Sequence, residues 1–220
     1  MLADLVHRAW RFAERRGSAT PRSRVGRRFR AMGEGSWLAF PPGDVVGEPH
    51  IELGRNVFIG AHVLLSAGMP GETLPPGRDA VITIGDRTTI GRGSMLNGRV
   101  GIHLDHDVTL APNVYITDHN HTYGDVTTPI GRQVLEEAPV SIGPGCWLAT
   151  NVVVLPGTTI GRHVTVAAGA VVRGDIPDYC VIAGTPAKVV RRWTEEGGWD
   201  PPLRAEYEAP EGWPTGYPSG

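Results

Sequence analysis

Aliphatic residues recur at every sixth position over long stretches of this chain. Ile142, Leu148, Val154, Ile160, Val166 and Val172 run in phase without interruption, several followed by a small residue (Gly143, Ala149, Gly161, Ala167). The same spacing holds at Leu53, Ile59 and Leu65, at Ile84, Ile90 and Leu96, and at Leu104, Leu110 and Ile116. Four residues after many of these comes a second apolar or small position: Val57, Val63, Val108, Val114, Val152, Val164 and Ala170. An amphipathic helix repeats near 3.6 and a half-buried strand at 2, whereas six suits a short strand and a tight corner, three such sides closing one coil. Sandwich strands spaced roughly 8 to 12 residues apart fit this period poorly. Coils stacked at the strand spacing of ~4.8 Å would seat each aliphatic residue on its equivalent in the coil below. The pattern predicts an all-β fold, a parallel β-helix solenoid over residues 36–192.

The period breaks in three places: a Gly- and Pro-rich insertion at 66–81, two extra residues within 97–103, and a stretch at 117–141. A stacked solenoid tolerates interruptions only at its surface, and such loops carry function more often than the scaffold does. The third break is long for a segment with no hydrophobic period of its own, and it opens on Thr117-Asp118-His119-Asn120-His121.

The two ends differ from the middle. Leu2, Leu5, Ala9, Phe12 and Ala13 fall on one face of a helix, with Arg8, Arg11, Arg15 and Arg16 around it. Residues 1–35 therefore read as a basic helical arm. Packing of the helix on the end of the solenoid as a cap is favoured over peripheral contact with an anionic membrane. Residues 193–220 read as an irregular Pro/Gly-rich tail.

Charge sharpens this division. Residues 1–30 hold nine Arg against Asp4 and Glu14, a balance of +7, so the rest of the chain carries −9 of the formal total of −2. The Arg run from Arg22 to Arg30 lacks interleaved aromatics, so nucleic acid is not expected as a partner. At 220 residues, 40% hydrophobic and 20% charged, the composition is that of an ordinary globular domain, with 30 Gly and 19 Pro for its many turns. The longest aliphatic runs fall far short of the roughly 20 apolar residues of a bilayer span, and with no secretory signal pattern at the start a cytoplasmic location is expected. Cys146 and Cys180 lack CxxC spacing and are expected to be reduced and buried.

The segments LAPNVYITDHNHTYGD, VVVLPGTTIG and VIAGTPAKVVRR resemble the hexapeptide-repeat acyltransferases, in particular the maltose and galactoside O-acetyltransferases, over about residues 50–192. The resemblance implies a left-handed coil, acetyl-CoA as co-substrate, a small hydroxyl acceptor of which a sugar is the default, and a homotrimer with each site between two chains. It also implies a histidine general base in the loop after the "APN" coil. An "NH" followed by a polar loop, as in the xenobiotic acetyltransferase branch, points to His121, which we place first. Matching "TDH" to the "TGH" of galactoside acetyltransferases points to His119. Asp118, as an orienting group, an acceptor contact or a turn cap, and then Asn113 and Asn97 are the acceptor-side candidates.

On the donor side the resemblance implicates Trp147, Thr150 and Ala168 along the pantetheine arm, and Arg173, Lys188 and Arg191 at the phosphates. Lys188 is the chain's only lysine. Many relatives have Thr-Lys where this chain has Arg173-Gly174, which shifts that charge by one position. With no GxSxG elbow, and with Cys146 at a position predicted to face inward, direct transfer is expected rather than an acyl-enzyme. No metal is expected. The rival readings are a γ-type carbonic anhydrase-like zinc enzyme, for which His103 and His106 are the available histidines, and an inactive scaffold.

Overall fold

The computed structural model describes residues 2–69, 71–72 and 79–202. Its strands are two to four residues long through the repeat, because each hexad spends its remaining residues on a corner. The chain visits three parallel sheets in rotation. The first contains Ala31–Met32, Ile51–Leu53, Ile82–Ile84, Ile102–Leu104, Val140–Ile142, Thr159–Ile160 and Asp175–Ile176. The second contains Trp37–Leu38, Phe58–Ile59, Thr89–Ile90, Thr109–Leu110, Trp147–Leu148, Thr165–Val166 and Cys180–Ala183. The third contains Val45–Val46, Leu64–Ala67, Met95–Gly98, Tyr115–Thr117, Val153–Val154 and Val171–Val172. Three corners join them: the first from first to second sheet, the second from second to third, the third from third back to first.

Register keeps the sixfold spacing in line. Ile102 and Leu104 pair with Ile82 and Ile84 on one side and with Val140 and Ile142 on the other, so aliphatic side chains stack coil on coil. Every residue of the period-six series is no more than 2% exposed, and so are the seven that follow four positions later. At about 1.5–3 kcal/mol for each large aliphatic buried, this column stabilises the fold. Thr88 and Ser94 take inward corner positions and join successive coils, Thr88 Oγ1 accepting from Val108 N (3.2 Å) and Ser94 Oγ from Val114 N (3.1 Å). At Gly143 an added Cβ would lie 2.8 Å from the Gly161 backbone, so the close stacking of these corners requires glycine.

The ends are closed by different means. Ala19 and Phe29, 5% and 6% exposed, fill the N-terminal end of the core, and Ala19 forms an antiparallel bridge with Leu38. The cap is therefore the segment after the helix, not the helix expected to provide it: Leu2–Gly17 buries no residue. The solenoid begins at Ala31, whose strand pairs with Ile51–Leu53. At the other end Lys188–Thr194 turns back antiparallel on Cys180–Ala183, and Gly198–Asp200 pairs antiparallel with it, so regular structure continues past residue 192. The rest of the tail, from 203, lies outside the described residues. The third break is not wholly irregular: His119–His121 pairs antiparallel with Leu135–Glu137 to form a projecting hairpin.

Candidate active site

The three breaks leave the solenoid at one place. Each follows a strand of the third sheet, Leu64–Ala67, Met95–Gly98 or Tyr115–Thr117, and these are neighbours in register, with Ser66 beside Asn97 and Asn97 beside Thr117. All three insertions thus emerge at the third corner on successive coils.

Asp118, the first residue beyond the third strand, is wholly buried. Its Oδ2 accepts from the backbone N–H groups of Arg99 (2.8 Å), Val100 (2.7 Å) and Gly101 (2.7 Å), and Oδ1 accepts from Arg99 N as well (2.9 Å). The two extra residues of the second break create this run of three converging amides, a concavity suited to an anion. The Arg99 side chain ties the other two breaks together. Its Nε donates to Glu137 (2.6 Å) and its Nη1 to Glu72 (2.9 Å). The Glu137 hydrogen bond first, and the charge of Glu72 after the opposing effect of burial, hold the guanidinium above its ordinary range.

One partner of Asp118 is a side chain. His119 Nδ1 lies 2.9 Å from Asp118 Oδ1, and the His119 side chain is 14% exposed. Because Asp118 is already surrounded by donors, this bond places the proton on Nδ1 and leaves Nε2 with its lone pair. The Thr117 hydroxyl donates to the His119 carbonyl (3.0 Å), fixing the backbone from which the ring projects. A buried carboxylate holding a partly exposed imidazole in one orientation is an arrangement that can serve general-base chemistry.

The other predicted residues fall into separate groups. His121 is on the same hairpin, exposed, and without a side-chain hydrogen bond among the described residues. Asn97 lies one strand from Thr117, on the His119 side of the third sheet. Asn113 is at the second corner, at the opposite end of its strand, in left-handed conformation (φ 61°). Thr150 and Ala168 are stacked at that same corner, where Gly169 N donates to Thr150 O (3.0 Å), and Lys188 begins the strand that returns from it. Trp147 is half-exposed on the outer face of the second sheet, in register through Thr165 and Val181 with Arg191. Arg173, exposed, follows the last strand of the third sheet, on the His119 corner. The structure thus joins Asp118, His119 and Asn97, and groups five donor-side candidates about the second sheet and corner, with Arg173 apart.

Cys146 is buried, donates to Gly161 O (3.0 Å), and has its thiol pushed up to about 11 by burial, which removes it as a nucleophile. His103 is on the outer face of the first sheet, and His106 is at the first corner against Asp107 (2.6 Å). Among the described residues no three His, Cys, Asp or Glu are grouped as metal ligands. Sequence reasoning missed Arg99, Glu72 and Glu137. The signal available for them was that all three breaks follow the same side of the coil.

Three-sided stacking thus carries a histidine–carboxylate pair where the repeat of six is interrupted. Residues 139–174 match the model of the bacterial transferase hexapeptide (six repeats), and residues 81–118 that of the hexapeptide repeat of succinyl-transferase. The chain is 36% identical over 159 residues to a probable acetyltransferase of Mycobacterium tuberculosis, covering 66% of this chain and 53% of the relative. It is 34% identical over 112 residues to galactoside O-acetyltransferase of Escherichia coli, covering 49% of this chain and 55% of the relative. It therefore spans about half the length of the curated relatives it matches. Among solved structures, a maltose O-acetyltransferase from Clostridium difficile is 25% identical with a TM-score of 0.54, covering 67% of this chain and 72% of that one. The chain carries transferase-type hexapeptide repeats and is similar to the maltose and galactoside O-acetyltransferases.

Proposed function

We propose that the protein is an acetyl-CoA-dependent O-acetyltransferase acting on a hydroxyl of a sugar, with His119 as general base. The observation that carries this reading is the buried Asp118 carboxylate, held by three backbone amides and bonded to His119 Nδ1. His119 Nε2 takes the hydroxyl proton as that oxygen attacks the thioester carbonyl carbon. The C–O bond forms, the C–S bond breaks, and the departing sulfur takes its proton from the imidazolium. Asp118 keeps the ring in one tautomer and offsets its transient positive charge. Proton removal of this kind contributes roughly 10²- to 10⁴-fold.

The donor is assigned to the second sheet and corner. There the half-exposed Trp147 ring and the small corner residues Thr150 and Ala168 offer a wall for the pantetheine arm, and Lys188 and Arg191 offer cations for the phosphates. Arg173, on the His119 corner, is a third cation for that end of the ligand. The sugar acceptor is supported by the names of the galactoside and maltose relatives, and Asn97, on the same side of the third sheet as the base, is a polar contact offered to it.

The winding is left-handed in this reading, as the hexapeptide repeats imply. The assembly is a homotrimer. It is supported by the outward column Leu64, Met95, Tyr115, Val153 and Val171 on the third sheet, apolar throughout. The equivalent column of the first sheet, Glu52, Thr83, His103, Ser141, Thr159 and Asp175, is polar. A monomeric mass in solution rejects the trimer. Two buried, unpaired thiols support a reducing, cytoplasmic compartment.

The test is release of free thiol from acetyl-CoA with a panel of sugars, for the wild type, His119→Ala and His121→Ala. Acceptor-dependent release lost only in His119→Ala is expected. Loss only in His121→Ala transfers the role to that residue, and failure to bind coenzyme A overturns the transferase reading.

A further inference from the structure

The helix Leu2–Gly17 stands outside everything described so far. It has the polarity that a helix needs at its ends, Asp4 in the first turn and Arg15 and Arg16 in the last. Among the described residues it meets the body at Phe40: the Trp10 and Phe40 rings are 6.2 Å apart, Phe40 N donates to Ser18 Oγ (3.3 Å), and Gly17 packs so closely on Phe40 that an added Cβ would lie 2.5 Å from its ring. That attachment turns the apolar side outward. Leu2, Leu5, Val6 and Phe12 are 77%, 65%, 58% and 60% exposed. Such a stripe of large side chains exposed to water is costly.

The other side of the helix carries Arg8, Arg11 and Arg15 with Asp4 among them, and Arg16 falls within the stripe, its guanidinium over the Phe12 ring (5.5 Å). Glu14 is engaged by Trp10 Nε1 (2.8 Å). Five further arginines follow, Arg22, Arg24, Arg27, Arg28 and Arg30, of which Arg28 is bonded to Glu48 (2.8 Å) and Arg30 to Glu52 (2.7 Å). The combination of a broad apolar face, a strongly basic opposite face and modest overall hydrophobicity is the signature of helices that lie in a membrane interface. The helix is too short and too charged to cross a bilayer, and no helix among the described residues is long and apolar enough to do so.

We propose that Leu2–Gly17 is a membrane-surface anchor, its apolar face set into the acyl boundary of an anionic leaflet and its arginines at the phosphate level. A protein partner covering the stripe would leave the basic face unused. An anionic leaflet engages both faces, because arginine stems extend along the apolar boundary while their guanidinium groups reach the headgroups.

The test is co-sedimentation of the full chain with vesicles of phosphatidylcholine alone, or of phosphatidylcholine mixed with phosphatidylglycerol. Binding to the anionic vesicles is expected, weaker by roughly tenfold or more for neutral ones or for Arg8→Gln with Arg11→Gln, and lost in Leu5→Glu with Phe12→Glu. Thiol release with a soluble acceptor should be unchanged in both variants, which separates failure of the anchor from failure of the transferase. Equal binding of wild type and Leu5→Glu with Phe12→Glu overturns the proposal. So does absence of vesicle binding together with a change in solution mass of that variant, which would make the stripe a contact between copies of the chain.

Discussion

The first and third corners of the coil solve the same geometric problem differently. At the first corner every turn is made alike, with one left-handed residue per coil: Gly35, Asn56, Arg87, Asp107, Gly145, His163 and Tyr179, at φ between 51° and 76°. Side chains there interact with their own column. Arg87 is bonded to Asp107 (2.7 Å), and His163 is stacked on Tyr179 at 5.6 Å. At the third corner, coils that could have turned equally briefly carry insertions on three successive levels, and the backbone amides of the second converge on the carboxylate that opens the third. A regular corner uses its polar groups to hold the stack, whereas the irregular one buries a carboxylate whose remaining bond is to the His119 ring. Consecutive breaks make this possible, because the amides come from one insertion and the carboxylate from the next.

The largest effect expected is on turnover. His119→Ala should lower kcat by about 10²- to 10⁴-fold and leave the unfolding midpoint nearly unchanged, with His121→Ala close to wild type in both. Next is Asp118→Ala, which leaves the buried Gly101 amide and the part-buried amides of Arg99 and Val100 without their acceptor, at about 1–3 kcal/mol for a fully buried group and less for the others. A loss of about 3 kcal/mol or more by denaturant titration, together with slowed turnover, should distinguish it from a change at a regular corner.

Arg99→Ala should cost about 1 kcal/mol, as befits ion pairs near the surface, and reduce kcat less than Asp118→Ala. Arg87→Ala at the regular corner should cost a similar amount with turnover intact; an equal loss of turnover from both would erase the distinction between the corners. The smallest effect is that of pH. The Arg87 hydrogen bond, with His106 assisting, holds the Asp107 carboxyl below its ordinary range. A depressed folded-state value stabilises above the unfolded one, near 3.9, and that contribution disappears as pH falls further. The stability gap between wild type and Arg87→Ala should thus be constant above about pH 5 and close below about pH 4.

The scaffold was legible in the sequence because stacking forces each buried position to repeat, so Ile142 to Val172 reveal the coil by count alone. The His119 corner was legible only as a location. Its parts come from three insertions, and Arg99 is 27 residues from Glu72 and 38 from Glu137, separations that follow no period. The choice between His121 and His119 meets the same limit. Local motif spacing does not show which ring lies against a buried carboxylate, because burial of Asp118 depends on amides from 99–101. The cap was misassigned for a related reason: a helical apolar stripe in the sequence looks the same whether it faces the core or the solvent.

The antiparallel strands at the two ends of the second sheet have a further consequence. A ladder whose every rung runs the same way could accept another molecule as its next rung, and such growth ends in fibres. Here Ala19 meets Leu38 head to tail at one end, and Lys188–Thr194 with Gly198–Asp200 reverses direction at the other. The reversals act as chain terminators, keeping a shape well suited to polymerisation at a finite length.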